Sequence, residues 1–438
     1  MLTHALLLLT LVAPDARLID TISVDAVMGH LRAFQSIADR HGGNRAAGLP
    51  GYDASADYVA ARLREAGYTV ELQPFTFEFF REIRPALLKG RRAFKGVTTL
   101  RFSGSGDVTG RPVGAGDGCQ AADFGRAARR AVGVVSRGSC SFRVKAEHAA
   151  RAGVAALVVA NQRGEQGTFK GSLVVPQRLP VVGVSHEAGR QVLRQGGVRV
   201  VTRTRTDRRT TRNVIAQTAA TSPGRVVMAG AHLDSVPEGP GINDNASGSA
   251  ALLELAIRLG RTTPERPVRF AWWGAEEQGL IGSKHYVARL SERQRERIEV
   301  YLNFDMIGSP NHTYAIFDGD DSDKKGAKAG PPGSARAERY FQRYFDARGL
   351  PHHGTDFKGN SDYDPFLKAG IAVGGLFTGA GDLKTAEEAR RYGGTAGRAK
   401  DPCYHEACDK LANVNEKVLE ATSNAMAHVV SKYAWPRT

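Results

Sequence analysis

The stretch AHLDSVPEGPGINDNASG (Ala231–Gly248) decides the fold, because it follows an apolar run, RVVMAGAH, that ends at His232. Two similar runs come later: PVRFAWWGAEE ends at Glu276 and Glu277, and EVYLNFDM carries Asp305. Each run predicts a buried strand whose last residues are polar. Open α/β sheets place ligands at the carboxyl ends of their strands, so the runs predict an α/β fold with one site at that edge.

A fourth fragment, DPCYHEACD (Asp401–Asp409), adds His405. Together the fragments supply two His and three acidic side chains, which are donor types that hold zinc. The adjacent acids Glu276 and Glu277 would repel each other unless a cation or a proton intervened. Asp234 follows His232 by two residues and could accept the other ring N–H of that His. We therefore predict a site that holds two metal ions.

At these residues the chain resembles the dizinc aminopeptidases of peptidase family M28, especially the secreted bacterial ones. The resemblance covers Asp20 to about Lys432, interrupted by an insert. It implies a three-layer α/β/α sandwich with a mostly parallel mixed sheet, the zinc exopeptidase fold. It also implies two Zn²⁺ per chain.

The resemblance gives each motif residue a role. The implied metal ligands are His232, Asp244, Glu277, Asp305 and His405. His232 and Asp305 would hold one zinc ion, Glu277 and His405 the other, and Asp244 would bridge them. Glu276 would be the general base, and Tyr404 would hydrogen-bond the developing oxyanion.

The resemblance also implies how substrate binds. The free α-amine would be held by Glu276 and Asp305. The side-chain pocket of the secreted relatives is apolar, which implies a preference for Leu-like or aromatic N-terminal residues. The matching positions here are Met306, Gly359, Asn360, Phe377 and the Cys403–Cys408 segment. Asn360 stands where close relatives carry a basic residue, which puts specificity at the pocket rim in doubt.

The insert is β-rich. The segments RGSCSFRVKAEHAARAGVAALVVAN and LPVVGVSHEAGRQVL resemble a protease-associated (PA) domain. Its role is either that of a lid or spacer, or that of choosing substrates or partners. We expect a signal peptide (1–16), a first part of the catalytic domain (17–97), the PA insert (98–205) and a second catalytic part (206–438).

Charge and hydropathy bear on partners and location. The 438 residues include 60 Lys and Arg against 45 Asp and Glu, a net charge of +15. The basic residues are scattered, with small clusters at Arg126–Arg130 and Arg203–Arg212, so we expect a solvated surface and no nucleic-acid partner. The apolar run Ala5–Ala13 is too short to span a bilayer and resembles a signal peptide, or else a buried N-terminal strand. With no other long apolar stretch, we expect no stable membrane insertion.

The four cysteines fall into two local pairs, Cys119 with Cys140 and Cys403 with Cys408. A paired count beside a signal-like segment favours disulfides and an exported protein. Zinc ligation is the alternative for the second pair.

The sequence thus predicts a secreted, monomeric aminopeptidase that acts on peptide or protein N-termini, with calcium as a further possible ion. A carboxypeptidase on the same fold would need an Arg or Lys for the substrate carboxylate. A glutaminyl cyclase-like enzyme would use a single zinc ion. A non-catalytic PA-containing binding protein would have lost ligands that this chain keeps.

Local signals predict several elements outside the site. The expected helices are 25–38, one ending at Ala66 with Asp53 or Ser55 as its cap, 142–151, 246–259, 336–348 and 415–433. Tyr68–Phe75 alternates as a strand, and the polar segment 318–332 is expected to be a surface loop.

Overall fold

The computed structural model describes residues 22–222, 224–324 and 329–436. The chain divides into two compact units, Thr76–Arg209 and the segments before and after it. We call them the insert unit and the peptidase unit. The apolar run at residues 5–13 lies outside the described residues. Within the described ranges, no helix is both long enough and apolar enough to cross a bilayer.

Helices and strands alternate along most of the chain. The helices are α1 (Val24–Arg40), α2 (Pro50–Glu65), α3 (Phe142–Arg151), α4 (His186–Leu193), α5 (Ser247–Leu259), α6 (Ile281–Ala288), α7 (Glu292–Arg297), α8 (Ser334–Asp346), α9 (Tyr363–Lys368), α10 (Ala386–Tyr392) and α11 (Glu416–Ala434). The strands are β1 (Val70–Lys89), β2 (Thr98–Thr99), β3 (Gly106–Gly110), β4 (Pro112–Gly114), β5 (Val132–Ser136), β6 (Ala156–Ala160), β7 (Val181–Val184), β8 (Val198–Gln217), β9 (Val226–His232), β10 (Val268–Trp273), β11 (Ile298–Phe304), β12 (Ala315–Phe317), β13 (His353–Thr355) and β14 (Val373–Phe377).

The peptidase unit is built on a mixed sheet in the order β1-β8-β10-β9-β11-β14-β12-β13. The central strands β10, β9, β11 and β14 are parallel to one another, whereas β8 and β12 pair antiparallel with β10 and β14. Every residue of β9 and β11 is buried, as expected for strands covered on both faces. The predicted α/β class with a mostly parallel mixed sheet is confirmed.

Two adjacent tryptophans show that helices cover both faces of this sheet. Trp272 donates its indole N–H to the carbonyl of Ser249 in α5. Trp273 points to the opposite face, where it packs with Tyr286 of α6 and Phe366 of α9. Successive side chains of a strand alternate between faces, so the pair fixes a helix–sheet–helix order.

The predicted helices are present: 142–151 agrees with α3 at both ends, and apart from the start of α2 the other ends differ by at most two residues. The described residues of the 318–332 segment lie between β12 and α8. The cap of α2 was predicted wrongly. The helix begins at Pro50 and its N-cap is Leu49, which makes no side-chain cap. Proline suits the first helical position because that position has no intrahelical use for an N–H. Ser55 instead donates its hydroxyl to the carbonyl of Gly51.

The insert unit has its own sheet, in the order β2-β7-β6-β5-β4, and β4 to β7 are parallel. The strands β5, β6 and β7 agree with the β-rich character expected of the insert. Apolar clusters cover both sides of this sheet: one contains Leu157 and Val159, the other Val132 and Val158. The Cys119–Cys140 disulfide lies in this unit, as expected.

Candidate active site

Three neighbouring parallel strands bring the motif residues to one edge of the peptidase sheet. His232 ends β9 and pairs in register with Trp273, after which the chain turns at Gly274 to reach Glu276 and Glu277. Asp305 follows β11 directly. The neighbours Ala275 and Met306 have positive φ angles of 56° and 53°, and His405 itself has 60°. Non-glycine residues rarely adopt this backbone, and such residues cluster at functional sites.

The five expected ligands form two groups that share Asp244. His232 Nε2 lies 3.2 Å from Asp244 Oδ1 and 3.2 Å from Asp305 Oδ1. His405 Nε2 lies 3.1 Å from Asp244 Oδ2 and 3.1 Å from Glu277 Oε2. Each oxygen of Asp244 therefore faces one imidazole.

These spacings suit a pair of metal ions. Zinc binds His nitrogen and carboxylate oxygen at about 2.0–2.2 Å, so two ligands of a tetrahedral ion stand roughly 3.3 Å apart. The four separations above are close to that value. Both groups also combine imidazole with carboxylate oxygen. The donor set fits two zinc ions bridged by Asp244.

The support of His232 differs from the expectation. Its Nδ1 lies 3.1 Å from the backbone carbonyl of Asp234 and 3.7 Å from Asp234 Oδ1. A carbonyl only accepts, so Nδ1 carries the proton and the lone pair of Nε2 faces the site. The Asp234 carboxylate accepts the backbone N–H groups of Glu276 at 3.1 Å and Glu277 at 3.3 Å.

The bridging ligand is held through its backbone by Asp409. The two oxygens of Asp409 accept the N–H groups of Asn243 at 2.8 Å and Asp244 at 3.0 Å. The side chain of Asn243 donates to Asp401 at 2.6 Å. Asp401 and Asp409 flank the loop that carries Tyr404 and His405, so these contacts connect the bridging ligand with that loop. Sequence analysis missed this role, although both acids stand in the quoted motif.

A buried arginine was also missed. Arg45 is fully buried and donates to the carbonyls of Leu233, Pro240 and Gly241, all in the loop that joins His232 to Asp244. Its segment, HGGNRAAG, carries no periodic or ligand signal that would have marked it. Ser361, which donates to Asp305 Oδ2 at 2.6 Å, was likewise not foreseen.

The site concentrates negative charge. Burial raises the pKa of Glu276 well above its usual range, and Glu277 raises it further. Burial and the charge of Asp244 raise the pKa of Glu277 to about 7. Burial alone would lower the pKa of His405, but Glu277 and Asp244 outweigh it and raise that pKa to about 11. Divalent cations between these groups would reverse this balance and keep the carboxylates ionised.

Tyr404 lies beside the second ligand group. Its ring stacks on that of His405 with centroids 3.9 Å apart, and it is 37 % exposed. Burial and the surrounding carboxylates keep the pKa of its hydroxyl well above the usual range, so the hydroxyl stays protonated and can donate. The Cys403–Cys408 disulfide closes the loop around both residues, as expected, and zinc ligation by these cysteines is excluded.

A pocket of about 520 Å³ opens beside Asp305 and Tyr404. Asn360 and Phe377 line it as expected, together with Ala315 and Phe317. Met306 is buried and Gly359 donates its N–H to Tyr363; neither is among the described residues that line this pocket. The wall is less apolar than expected, because it also contains Asp356, Lys358, Asp382 and Lys400.

A third group of possible metal-binding carboxylates lies away from this site, formed by Asp318, Asp320 and Glu338. Burial raises the pKa of Glu338 to about 7. Acidic groups of this kind are common without an ion. Calcium binding therefore stays a prediction.

Comparison with known proteins agrees with this geometry. The family model "Peptidase family M28" matches residues 213–430, and the "PA domain" model matches residues 106–192. An aminopeptidase of Pseudomonas aeruginosa is 45% identical over 433 residues, covering 92% of this chain and 80% of its own length. The chain belongs to peptidase family M28. The Probable lipoprotein aminopeptidase LpqL of Mycobacterium tuberculosis is 42% identical, covering 94% of this chain and 85% of its own.

Solved structures extend the likeness of this M28 chain over nearly its full length. An aminopeptidase from Aneurinibacillus sp. strain AM-1 has a TM-score of 0.80 at 25% identity and covers 96% of both chains. The zinc aminopeptidase BSAP from Bacillus subtilis has a TM-score of 0.69 at 24% identity, and the match covers 94% of this chain and 95% of that protein. At this identity the likeness shows a shared fold only. The predictions of an M28 metallo-aminopeptidase and of a PA domain are confirmed.

Proposed function

We propose that this M28 aminopeptidase removes large hydrophobic residues from the N-termini of peptides, with two zinc ions and Glu276 as general base. The observation that carries the proposal is the shared carboxylate of Asp244, which faces His232 with one oxygen and His405 with the other. A carboxylate that turns one oxygen to each ligand group could bridge a pair of metal ions about 3.5–4 Å apart.

Zinc is the metal that we propose. The donors are imidazole nitrogen and carboxylate oxygen, which zinc prefers. Bound zinc supplies two effects: it acidifies water, and it polarises a carbonyl group.

We assign the proton transfer to Glu276. Its backbone is fixed by Asp234, and Glu277 is committed to the second ligand group, which leaves the Glu276 carboxylate for acid–base work. As the peptide bond is hydrolysed, Glu276 accepts a proton from the attacking water and delivers it to the departing amine. The hydroxyl of Tyr404 donates to the carbonyl oxygen as negative charge develops there.

The direction of cleavage follows from charge. The carboxylates of Glu276 and Asp305 would pair with the ammonium group of a free N-terminus. A carboxypeptidase would instead need a cation available for the substrate carboxylate. Lys400 in the pocket wall lies 2.8 Å from Asp382 and 2.7 Å from Glu388, so its charge is already neutralised. Lys358, the other lysine of that wall, is exposed and is the cation that a carboxypeptidase would have to use.

The proposed side-chain preference is supported by the pocket. Ala315, Phe317 and Phe377 offer an apolar wall near Asp305, and the volume of about 520 Å³ accepts an aromatic or leucine side chain with room to spare. Charged residues also line this pocket, so the preference for hydrophobic residues is the part of the proposal that most needs its own test.

Export is also proposed, with the chain divided as a signal peptide 1–16, catalytic parts 17–97 and 206–438, and a PA insert 98–205. Two disulfides support an oxidising compartment, and one relative is described as a lipoprotein. We propose that the protein acts as a monomer.

The experiment compares a Leu-, Phe- or Met-initiated peptide with its N-acetylated form. Acetylation removes the positive charge that the carboxylates need, so only the free peptide should be cut, and dialysis against a chelator should abolish cleavage until zinc is restored. Efficient release of C-terminal residues from acetylated peptides would contradict the proposal.

A further inference from the structure

The net charge of the protein is carried by the insert unit. Residues Thr76–Arg209 contain 25 Lys and Arg against nine Asp and Glu, a net charge of +16. The rest of the chain, with 35 basic and 36 acidic residues, is close to neutral. Solubility alone does not require the positive charge to be concentrated in one unit. A strong local charge attracts partners of the opposite sign.

Part of this positive charge is neutralised within the unit. Arg199 and Arg203 both pair with Asp107, and Arg205 and Arg209 both pair with Asp207. Another set of cations has no carboxylate within ion-pair distance in the described chain. We call it the basic rim, formed by Lys89, Arg91, Arg92, Lys95, Arg190 and Arg194.

The basic rim draws on three segments of the insert unit. It joins the end of β1, the loop that follows and the exposed side of α4. The backbone N–H of Arg91 donates to Gln195, just beyond α4, and a cavity of about 690 Å³ lies between the loop and this helix. Among the described residues that line this cavity, Glu187 is the one acidic side chain.

Exposed aliphatic side chains occur on the same two elements, β1 and α4, that carry several of these cations. Leu87 is 36% exposed and points to the same face of β1 as Lys89, and Leu193 at the end of α4 is 45% exposed. Ile83, on the same row of β1, is 51% exposed. Exposed aliphatic residues beside Lys and Arg are typical of surfaces that rest on a bilayer, whereas single-stranded nucleic acids are bound by exposed aromatic rings.

We propose that the insert unit docks the enzyme on an anionic lipid bilayer through the basic rim, with Leu87 and Leu193 reaching the headgroup region. Docking is peripheral and reversible: the cations are attracted by the negative surface potential, and the attraction falls as salt screens it. The insert would thus concentrate the peptidase at a membrane without adding to its chemistry.

Vesicle flotation with the full chain tests this proposal. Phosphatidylglycerol vesicles should bind the protein at about 0.1 M salt and release it at about 0.5 M, while phosphatidylcholine vesicles should not bind it. The variant R91S/R92S/K95S should lower the partition coefficient roughly a hundredfold. The control R126S/R129S/R130S removes the same charge from another exposed cluster of the unit and should change the coefficient less than about threefold.

Two further measurements separate lipid from other anions. L87S/L193S should weaken binding to phosphatidylglycerol vesicles and leave any binding to soluble polyphosphate unchanged. Hydrolysis of a small aminoacyl anilide by every variant at the wild-type rate shows that the fold is intact. No vesicle binding by wild type at low salt, equal losses in both triple variants, or tighter binding to polyphosphate than to vesicles would each overturn the proposal.

Discussion

Asp234 accepts the backbone N–H of Glu276 at 3.1 Å, so the residue that follows the His232 ligand by two positions also fixes the backbone of the proposed base. Its second oxygen accepts the N–H of Glu277, and its backbone carbonyl accepts from His232. One fully buried residue thus positions three side chains of the site.

Asp234→Asn should therefore weaken the metal site. The amide replaces one of the two accepting oxygens with a donor, which faces a backbone N–H and leaves it unpaired. We expect zinc affinity, measured by competition with a chelator, to fall about 10–100-fold. Glu238→Gln, an exposed carboxylate in the same loop, is the matched control and should change nothing. Unchanged zinc affinity in Asp234→Asn would show that these contacts do not support the ligands.

The two disulfides should differ in what they protect. Cys403–Cys408 closes a short loop, for which chain entropy predicts only about 2 kcal/mol, whereas Cys119–Cys140 predicts about 3 kcal/mol. Replacing Cys403 and Cys408 with Ser should lower kcat more than stability, since the loop holds Tyr404 and His405.

The Cys119/Cys140 double Ser variant is the matched comparison. It should destabilise the insert unit and leave kcat on a small anilide nearly unchanged. Thermal melting and initial rates on both variants decide the matter. The reverse pattern, with activity lost only in the insert variant, would contradict the assignment of the 403–408 loop to the site.

A half-buried histidine, His312, should make stability depend on pH. Burial and the charge of Lys384 lower the pKa of His312 to about 4, against about 6.5 in an unfolded chain. Between these values the unfolded state binds more protons, so the free energy of unfolding falls as the pH drops from about 6.5 to about 4. Above about pH 6.5 the His312 ring is neutral in both the folded and the unfolded state, so its titration no longer lowers the free energy of unfolding.

The expected loss is about 1–2 kcal/mol, because the ring is partly solvated. His312→Gln removes the titrating group while keeping a polar side chain. Melting temperatures of wild type and variant should therefore converge as the pH falls below about 6. Parallel pH profiles for the two proteins would show that His312 does not titrate on unfolding.

The sequence predicted the central strands, and the position of the motif residues at their carboxyl ends, because each of these signals is local. His232, Glu277 and Asp305 each end an apolar run, and such runs become the parallel centre of the sheet. The residues that surround these motif side chains could not be predicted from the sequence. Asp409 reaches Asn243 across 166 residues of sequence, and nothing near it marks a carboxylate that will be buried against backbone N–H groups.

The pocket shows the same limit. Its walls come from β12, β13, β14 and the loop around Tyr404, which meet only in the folded chain. The family resemblance indicated Phe377 and Asn360 as pocket positions. The charged residues Asp356 and Lys358 also line the pocket, because they directly follow β13, which pairs with β12. The prediction of the α2 cap was wrong for a different reason, because the helix already begins at Pro50, before Asp53 and Ser55.

Substitution at the adjacent glutamates tests the central claim most directly, through zinc content and kcat measured on the same samples. Glu276→Gln should retain two zinc ions per chain and lose about 10²–10⁴-fold in kcat, because it removes the proton acceptor and leaves every ligand in place. Glu277→Ala should lose zinc as well, because it removes a ligand. A Glu276→Gln enzyme with near-wild-type kcat, or one that loses zinc as Glu277→Ala does, would contradict the assignment of Glu276 as general base.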